Sequence, residues 1–312
     1  MIYEVNIFRE KYIESQHLVN VSNLDSEKGF ELYLRSSLKP FQLLPLVSQG
    51  GFDKFGLEDS LLAIFSSSHS GEEMHTKPLL KILKEQDISE DDLYCNPHWP
   101  LNDEFSRELS SQGKAPTKIH NNCSGKHTAM LLMCKYFEFD YDQYWSENHP
   151  LQILLVDYLS DLFQYKLTNI AIDGCGAPIP YVDSRSVVKS ADKLLKEDSE
   201  AAVAWQRIIS AMKDNPYLVA GTGRFDSLLM DRSNNKITAK VGAEGVIFIH
   251  SEKDTIIMKS LDGSRRGADL LALYFAREKG LIPIDLFEIE KEVIYNKQEQ
   301  EVGSIEIQKY IS

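Results

Sequence analysis

The sequence predicts an α/β fold in which a mixed sheet is flanked by helices. Short stretches of alternating apolar residues, such as residues 30–34 and 237–241, indicate strands, whereas residues 151–162 have the apolar spacing of a helix. The chain has 312 residues, of which 43% are hydrophobic and 26% are charged, so a packed core is expected. We therefore predict a single domain over residues 1–312, with a division into two lobes as the alternative.

The composition excludes several classes of partner. Lysine and arginine number 34 against 47 acidic residues, and the net charge of −13 argues against a nucleic-acid or anionic-membrane surface. The first residues lack the basic and apolar regions of a signal peptide, and no apolar run approaches the roughly 18 residues of a membrane span. We therefore expect a soluble, cytoplasmic protein in which Cys95, Cys123, Cys134 and Cys175 are reduced thiols or metal ligands.

The first third of the chain begins with predicted strands at residues 2–8, 17–22 and 30–34, and a helix follows to about Val47. Residues 35–40, RSSLKP, join the last strand to the helix, and Pro40 is tolerated in a first helical turn.

Ser36 and Lys39 lie three residues apart in this junction, so both side chains should share one face of the helix. An amine accepts the proton of a hydroxyl only when the amine is neutral, which requires a pKa below the usual value of about 10.4. Serine also caps helices and lysine commonly covers their surfaces, so this pattern alone is weak evidence of catalysis.

A second serine-bearing loop, residues 66–72 (SSSHSGE), follows a predicted helix over residues 57–65. It reads either as a solvated turn or as a functional loop that carries Ser68 and His69 beside the start of the next helix. Free N–H groups at a helix N-terminus suit an anion or a developing oxyanion.

Two cysteine-bearing motifs follow in the middle of the chain. Residues 121–127, NNCSGKH, precede an apolar helix, and Cys123 and His127 should share one helical face. A cysteine at a helix N-terminus beside a lysine tends to be a thiolate, suited to metal binding or nucleophilic attack; the alternative is an inert buried thiol. Residues 173–176, DGCG, end a short strand, where glycines on both sides of Cys175 permit close backbone approach or form a plain tight turn.

The remaining chain continues the α/β pattern. Residues 221–226, GTGRFD, form a loop before a short helix but lack the frame of a nucleotide-binding fingerprint. The tail after Pro283 reads as a weakly structured, acidic end. The other predicted elements are two amphipathic helices in residues 184–213, strands at 237–241, 246–250 and 255–259, and a helix from Asp262 to Phe275.

The order Ser36-x-x-Lys39, Ser68 and Lys240-Val241-Gly242 resembles the serine β-lactamase signature, although Val241 replaces the usual threonine. A closer resemblance uses five ordered motifs and extends over about residues 30–275. Together they resemble the asparaginase II family, the thermolabile rhizobial type of L-asparaginase. The motifs are RSSLKP at 35–40, SHSGE at 68–72, NCSGKH at 122–127, DGCG at 173–176 and GAEG at 242–245.

The resemblance implies a fold like those of serine β-lactamases and glutaminases, a homodimer, and hydrolysis of L-asparagine to L-aspartate and ammonia. It also implies two Ser–Lys pairs, Ser36 with Lys39 and Ser68 with Lys240. The resemblance further implies a zinc site, structural or substrate-orienting, formed by Cys123, Lys126 and Cys175.

Either Ser36 or Ser68 is the expected nucleophile, and its position at the start of a helix favours Ser36 narrowly. Neighbouring positive charges would lower the pKa of each lysine. The expected substrate-binding side chains are Arg35, His69, His127 and Asp173.

Three other functions fit the same residues. A cysteine amidohydrolase would use Cys123 with His127, and a non-catalytic scaffold would only bind zinc. A glutaminase would perform the same chemistry on a substrate longer by one methylene, which changes binding by only about 1–3 kcal/mol.

Overall fold

Ten strands are found in the computed structural model, which describes residues 1–282 and 293–310 of the chain. In chain order they are β1 (Ile2–Arg9), β2 (Tyr12–Ser22), β3 (Glu31–Tyr33), β4 (Ile170–Ile172), β5 (Pro178–Asp183), β6 (Thr238–Gly242), β7 (Val246–His250), β8 (Thr255–Ser260), β9 (Val293–Tyr295) and β10 (Glu301–Lys309).

The strands form two sheets. The larger has the order β6-β7-β8-β2-β1-β10-β9, and the smaller has the order β3-β5-β4. Every pairing between described strands is antiparallel, so the prediction of a mixed sheet is wrong on this point. The reason is that β1–β2 and β6–β7–β8 are joined by short hairpin connections, which reverse the chain direction.

The helices of the same described residues lie between β3 and β4, between β5 and β6, and after β8. They are α1 (Lys39–Gln42), α2 (Leu44–Ser48), α3 (Gly51–Lys54), α4 (Ser60–Phe65), α5 (Glu73–Glu85), α6 (Asp103–Ser111), α7 (Ser124–Phe137), α8 (Pro150–Phe163), α9 (Ser184–Lys196), α10 (Glu200–Asp214), α11 (Pro216–Val219), α12 (Phe225–Arg232) and α13 (Arg265–Glu278). Helices α9 and α13 pack on the larger sheet, so the predicted α/β fold with helices flanking a sheet is confirmed. Within the described ranges, no helix combines the length and apolarity that a bilayer span requires.

The C-terminal tail differs from its prediction. Residues 293–309 contain β9 and β10, and β10 pairs with β1 in a register that sets Ile305 opposite Ile7 and Ile307 opposite Val5. Alternation of apolar and polar residues in β10 therefore places one face on the core, a signal that the acidic composition concealed. The first part of the predicted tail, residues 283–292, lies outside the described residues.

An aromatic cluster joins the helical part to the larger sheet. Phe41 of α1 stacks on Trp205 of α10, with ring centroids 4.5 Å apart, and meets Phe248 of β7 edge-on at 5.5 Å. All three rings are fully buried. Because such rings bury large areas and pack with defined geometry, they fix α1, which carries Lys39, relative to the sheet.

Two glycines permit the close contacts that bring distant segments together. A Cβ atom on Gly125 of α7 would lie 2.3 Å from the carbonyl oxygen of Ile64 in α4. A Cβ on Gly242 at the end of β6 would lie 2.6 Å from the carbonyl oxygen of Leu34. Both neighbours are backbone atoms, so neither contact could be relieved by a side-chain rotation.

The first contact leads to a stability prediction. Glycine to alanine inside a helix ordinarily stabilises a protein by up to about 1 kcal/mol, but the Gly125→Ala variant should lose about 1–3 kcal/mol because the methyl group overlaps the α4 backbone. Urea unfolding followed by circular dichroism would measure the change. The exposed α6 control Ser110→Ala should stay within about 0.5 kcal/mol of the parent. A Gly125→Ala protein as stable as the parent would contradict the packing described.

Candidate active site

One buried serine lies between two buried lysines. The Ser68 hydroxyl is 2.9 Å from Nζ of Lys240 and 3.2 Å from Nζ of Lys39. Ser68 is 6% exposed, Lys39 is 1% exposed and Lys240 is 0% exposed. The structure thus places an alcohol and two amines, drawn from three distant parts of the sequence, in one buried site.

Lys240 points from β6 toward the serine loop. Its amine also donates to the carbonyl of Val241 at 2.7 Å. Burial lowers the pKa of Lys240 to about 7; nearby Asp226 opposes this shift, and Lys39 and Arg224 add to it. At neutral pH a substantial fraction of Lys240 is therefore an uncharged amine, the form that accepts a proton.

Lys39 has different surroundings. Its amine donates to the carbonyl oxygens of Ser67 and Asn122 and lies 3.2 Å from the Cys123 sulfur. No hydrogen bond from Lys39 to Ser36 occurs among the described residues, and the half-buried Ser36 hydroxyl has no partner there. The lysine stem instead carries the amine past Ser36 to the serine loop, where these carbonyls accept its protons.

The loop that carries Ser68 is held by its own polar groups. The backbone N–H of Ser68 donates to the carbonyl of Val219 at 3.0 Å. His69 is fully buried, and its ring nitrogens contact the Ser124 hydroxyl at 2.8 Å and the Gly71 N–H at 3.1 Å. Burial, with His75 nearby, holds the pKa of His69 well below its usual range. His69 therefore orders the loop with both nitrogens engaged, and the N–H groups of Ser68 and Gly71 are not free to bind an oxyanion.

An arginine–aspartate pair lies beside the Lys126 amine. Nε of Arg35 donates to Oδ1 of Asp173 at 2.6 Å, and Oδ2 of Asp173 lies 3.9 Å from Nζ of Lys126. Arg35 has φ = +53°, a conformation that costs a non-glycine residue about 1 kcal/mol or more. The Arg35 side chain is 26% exposed, and only its Nε is engaged by Asp173, so its two Nη groups remain available as donors.

The two motif cysteines meet next to Lys126. Nζ of Lys126 lies 2.9 Å from Sγ of Cys175. A hydrogen bond between the thiols raises the pKa of Cys123 and lowers that of Cys175, which also accepts from Lys126. Burial opposes the charged form of Lys126, but the sulfur charges of Cys175 and Cys123 outweigh it and raise the lysine pKa. The negative charge expected at Cys123 is thus shared within a coupled pair of cysteines next to the Lys126 amine.

His127 and Tyr144 complete the cysteine cluster. Nδ1 of His127 lies 2.7 Å from the Tyr144 hydroxyl, which accepts the Tyr94 N–H at 2.9 Å. Nε2 of His127 is buried without a hydrogen-bond partner in the described part of the chain, although the ring interacts with Cys175. Burial lowers the pKa of His127, so its neutral form is favoured.

The cysteine cluster contains sulfur and nitrogen atoms that could bind a metal ion. Residues 1–282 and 293–310 contain no group of three His, Cys, Asp or Glu side chains placed to hold a metal. Sγ of Cys175 lies 2.9 Å from the Lys126 amine, and Cys175 interacts with Cys123 and with the His127 ring. Two sulfurs and the Lys126 nitrogen are donor types that suit a borderline-soft divalent cation such as zinc, provided that Lys126 loses the proton that its raised pKa retains.

Three residues that the sequence did not single out support the site. The hydroxyl of Ser37 donates to the carbonyl of Lys240 at 2.7 Å and so ties residues 35–38 to β6. Tyr144 orients His127 as described, and Asp226 lies 3.8 Å from Lys240. Asp226 ends the GTGRFD loop and Ser37 lies within the RSSLKP motif, but neither pattern indicated these contacts, and Tyr144 has no local pattern.

Comparisons with known proteins identify a family. The family model described as L-asparaginase II matches residues 5–307. No curated protein matches the chain. A solved protein assigned as a beta-lactamase from Bacteroides dorei DSM 17855 is 10% identical, with a TM-score of 0.42 and coverage of 90% of this chain and 93% of that one. A structure of Mglu is 13% identical, with a TM-score of 0.36 and coverage of 91% and 68%.

Proposed function

The chain belongs to the L-asparaginase II family, and from this premise we propose that it hydrolyses the side-chain amide of L-asparagine to L-aspartate and ammonia. At family level this is an asparaginase-type amidohydrolase. The observation that supports the proposal is the Ser68 hydroxyl, held within hydrogen-bond distance of two buried amines.

We propose Ser68 as the nucleophile and Lys240 as its base. As Oγ of Ser68 forms a bond to the amide carbon, its O–H bond breaks and the proton passes to the neutral amine of Lys240, 2.9 Å away. A base whose pKa lies near the working pH combines correct protonation with useful proton affinity. The hydrogen bonds thus favour Ser68 over Ser36, which the sequence favoured narrowly.

Lys39 has a second role in this scheme. Because two carbonyls accept its protons, Lys39 acts as a donor at the site, and its amine lies 3.2 Å from Ser68 Oγ. An N–H donor held next to the reacting hydroxyl is placed to stabilise the oxyanion that forms on the amide oxygen. This replaces the N–H groups of Ser68 and Gly71, which are already engaged.

The remaining steps return every group to its starting state. The Lys240 ammonium gives its proton to the departing nitrogen, the C–N bond breaks and ammonia leaves an ester on Ser68. Water then attacks the ester while Lys240 takes its proton. The C–O bond to Ser68 breaks, the proton returns to the serine oxygen, and aspartate is released.

Arg35 is the proposed partner of the substrate's α-carboxylate. Asp173 accepts from its Nε and holds the guanidinium in place, which leaves the Nη groups for a contact with the carboxylate. Asp173 also offers a negative charge for the α-ammonium group. His127 lies deeper, against Tyr144 and the cysteines, where we propose that it supports the cluster rather than the carboxylate.

We propose that Cys123, Lys126 and Cys175 would hold zinc, with His127 next to them. When bound, zinc would supply a Lewis acid that orients or polarises a substrate group. The chain's own contribution is to keep both sulfurs and the Lys126 amine converged in a buried cluster.

The alternatives are weighed by the same contacts. A cysteine nucleophile at Cys123 is not favoured, because its pKa is raised by its hydrogen bond to Cys175 and by burial. A non-catalytic zinc scaffold would not explain why two buried lysine amines lie within hydrogen-bond distance of one serine hydroxyl. Preference for asparagine over glutamine and the homodimer rest on the family resemblance, the cytoplasmic location rests on the sequence features described above, and all three remain predictions.

Ser68→Ala should lower kcat for ammonia release from asparagine by about a thousandfold or more, because no other hydroxyl lies between the two amines. The kcat of the Ser36→Ala variant should fall much less. The buried neighbour Ser66→Ala is the matched control, since the Ser66 hydroxyl has no hydrogen-bond partner in the described residues, and the variant should retain parental turnover. Glutamine assayed in parallel would test substrate choice. Near-parental kcat in Ser68→Ala would refute this assignment.

The pH profile tests Lys240 as the base. The Lys240 pKa is lowered to about 7, and the reactive form is the deprotonated one, so kcat/KM should fall tenfold per pH unit below about pH 7 and level off above it. Initial rates from pH 5 to 9 at low asparagine concentration would provide the profile. A plateau that extends unchanged down to pH 5 would exclude a base with this pKa.

Metal analysis tests the zinc proposal. The purified protein should contain about one zinc per chain by mass spectrometry, and Cys175→Ser should lose most of it because a sulfur ligand is removed. Cys134→Ser is the matched control, as its thiol is equally buried but belongs to the interior of α7. Equal zinc contents in both variants would remove Cys175 from the site.

A further inference from the structure

A buried carboxylate next to Lys240 is not used by the mechanism above. Asp226, the second residue of α12, is 0% exposed. Its Oδ2 accepts the Val241 N–H at 3.3 Å and lies 3.8 Å from Lys240 Nζ. Its Oδ1 has no hydrogen-bond partner among the residues that the structure describes. A buried carboxylate in this condition is costly unless a positive charge accompanies it.

The hydrogen bonds of Lys240 leave one of its N–H donors for the Asp226 carboxylate. A protonated lysine has three N–H donors. Ser68 Oγ and the Val241 carbonyl lie at hydrogen-bond distance and take two of them, and Asp226 is the nearest further acceptor with a charge. When Lys240 gains the serine proton, a positive charge forms in a fully buried place, and the carboxylate that can balance it is already there.

We propose that Asp226 is a positioning residue for the reaction, which holds Lys240 against Ser68 and stabilises the ammonium that forms as the serine gives up its proton. This inference rests on the proposed function of Ser68 and Lys240. Asp226 itself gains and loses no proton in the cycle, and it does not contact the substrate.

The other charged groups around Asp226 and Lys240 either disfavour the Lys240 ammonium or are paired with each other. Lys39 and Arg224 face Lys240 with like charge and disfavour its ammonium form. On α13, Arg265 is engaged by Asp269 at 2.9 Å. Burial raises the pKa of Asp269 to about 6, which Arg265 opposes and the charge of Asp226 reinforces. Asp226 is therefore the main group that opposes burial and the two cations at Lys240, with a smaller contribution from Cys123.

The test is the pH dependence of serine modification in the Asp226→Asn variant of the full chain. An alkylsulfonyl fluoride forms a bond from sulfur to Ser68 Oγ while fluoride leaves and Lys240 takes the hydroxyl proton. Intact-mass spectrometry would follow the rate, and peptide mapping would locate the label, without any need for asparagine. Asparagine kcat/KM would be measured over the same pH range.

Loss of the carboxylate charge favours the neutral amine, so the acid limb of both profiles should move to lower pH by about one unit or more in Asp226→Asn. The amide side chain introduced at position 226 keeps an oxygen that can accept from the Val241 N–H. If that variant folds poorly, Asp226→Ser offers a smaller side chain that still accepts. Asp254→Asn is the matched control: it removes a buried carboxylate from Lys279, a pair 2.6 Å apart, and should leave the midpoint unchanged.

The outcomes separate the inference from its premise. Labelling of Ser68 with a displaced midpoint in Asp226→Asn, and an unmoved one in Asp254→Asn, supports the role of Asp226. A slower reaction with the parental midpoint shows a structural role only and overturns the inference while leaving the proposed function standing. If Ser68 is labelled at no pH in the parent protein, the premise fails and the inference falls with it.

Discussion

The site depends on removing two amines from water and placing them on one hydroxyl. In water a lysine amine is protonated at neutral pH and cannot act as a base. Burial makes the charged form of Lys240 expensive, and the nearby positive groups add to that expense. Lys39, anchored by the carbonyls of Ser67 and Asn122, keeps its donors, so chemically identical side chains acquire different roles from their surroundings.

The fold produces this site by bringing together three separate segments. Residues 35–42 supply Lys39, the loop after α4 supplies Ser68, and β6 supplies Lys240. Gly125 and Gly242 let backbones approach where any Cβ would overlap a carbonyl oxygen, and the Phe41–Trp205 stack fixes α1. Packing of the helical part against the edge of the larger sheet therefore decides the distances on which the chemistry depends.

Sequence reasoning predicted much of this, for local reasons. Periodicity identified the strands of the final third and helices such as α8, and the motifs around Ser68, Cys123 and Cys175 were each found from their own residues. The partner of Lys39 was not predictable, because a flexible side chain reaches whichever acceptors the tertiary structure provides. Tyr144 and Ser37 were missed since their roles arise from contacts between distant segments. In β10, the acidic composition masked a genuine alternation.

The pairing of β10 with β1 affects how the protein is made. Residues 3–9 find their partners at positions 303–309, a separation of about 300 residues, so closing this loop carries a large entropic cost and slows folding. On the ribosome, one side of β1 stays unpaired until residues 303–309 have emerged. An open strand of this kind invites association with other nascent chains, and dependence on chaperones during synthesis is the natural consequence.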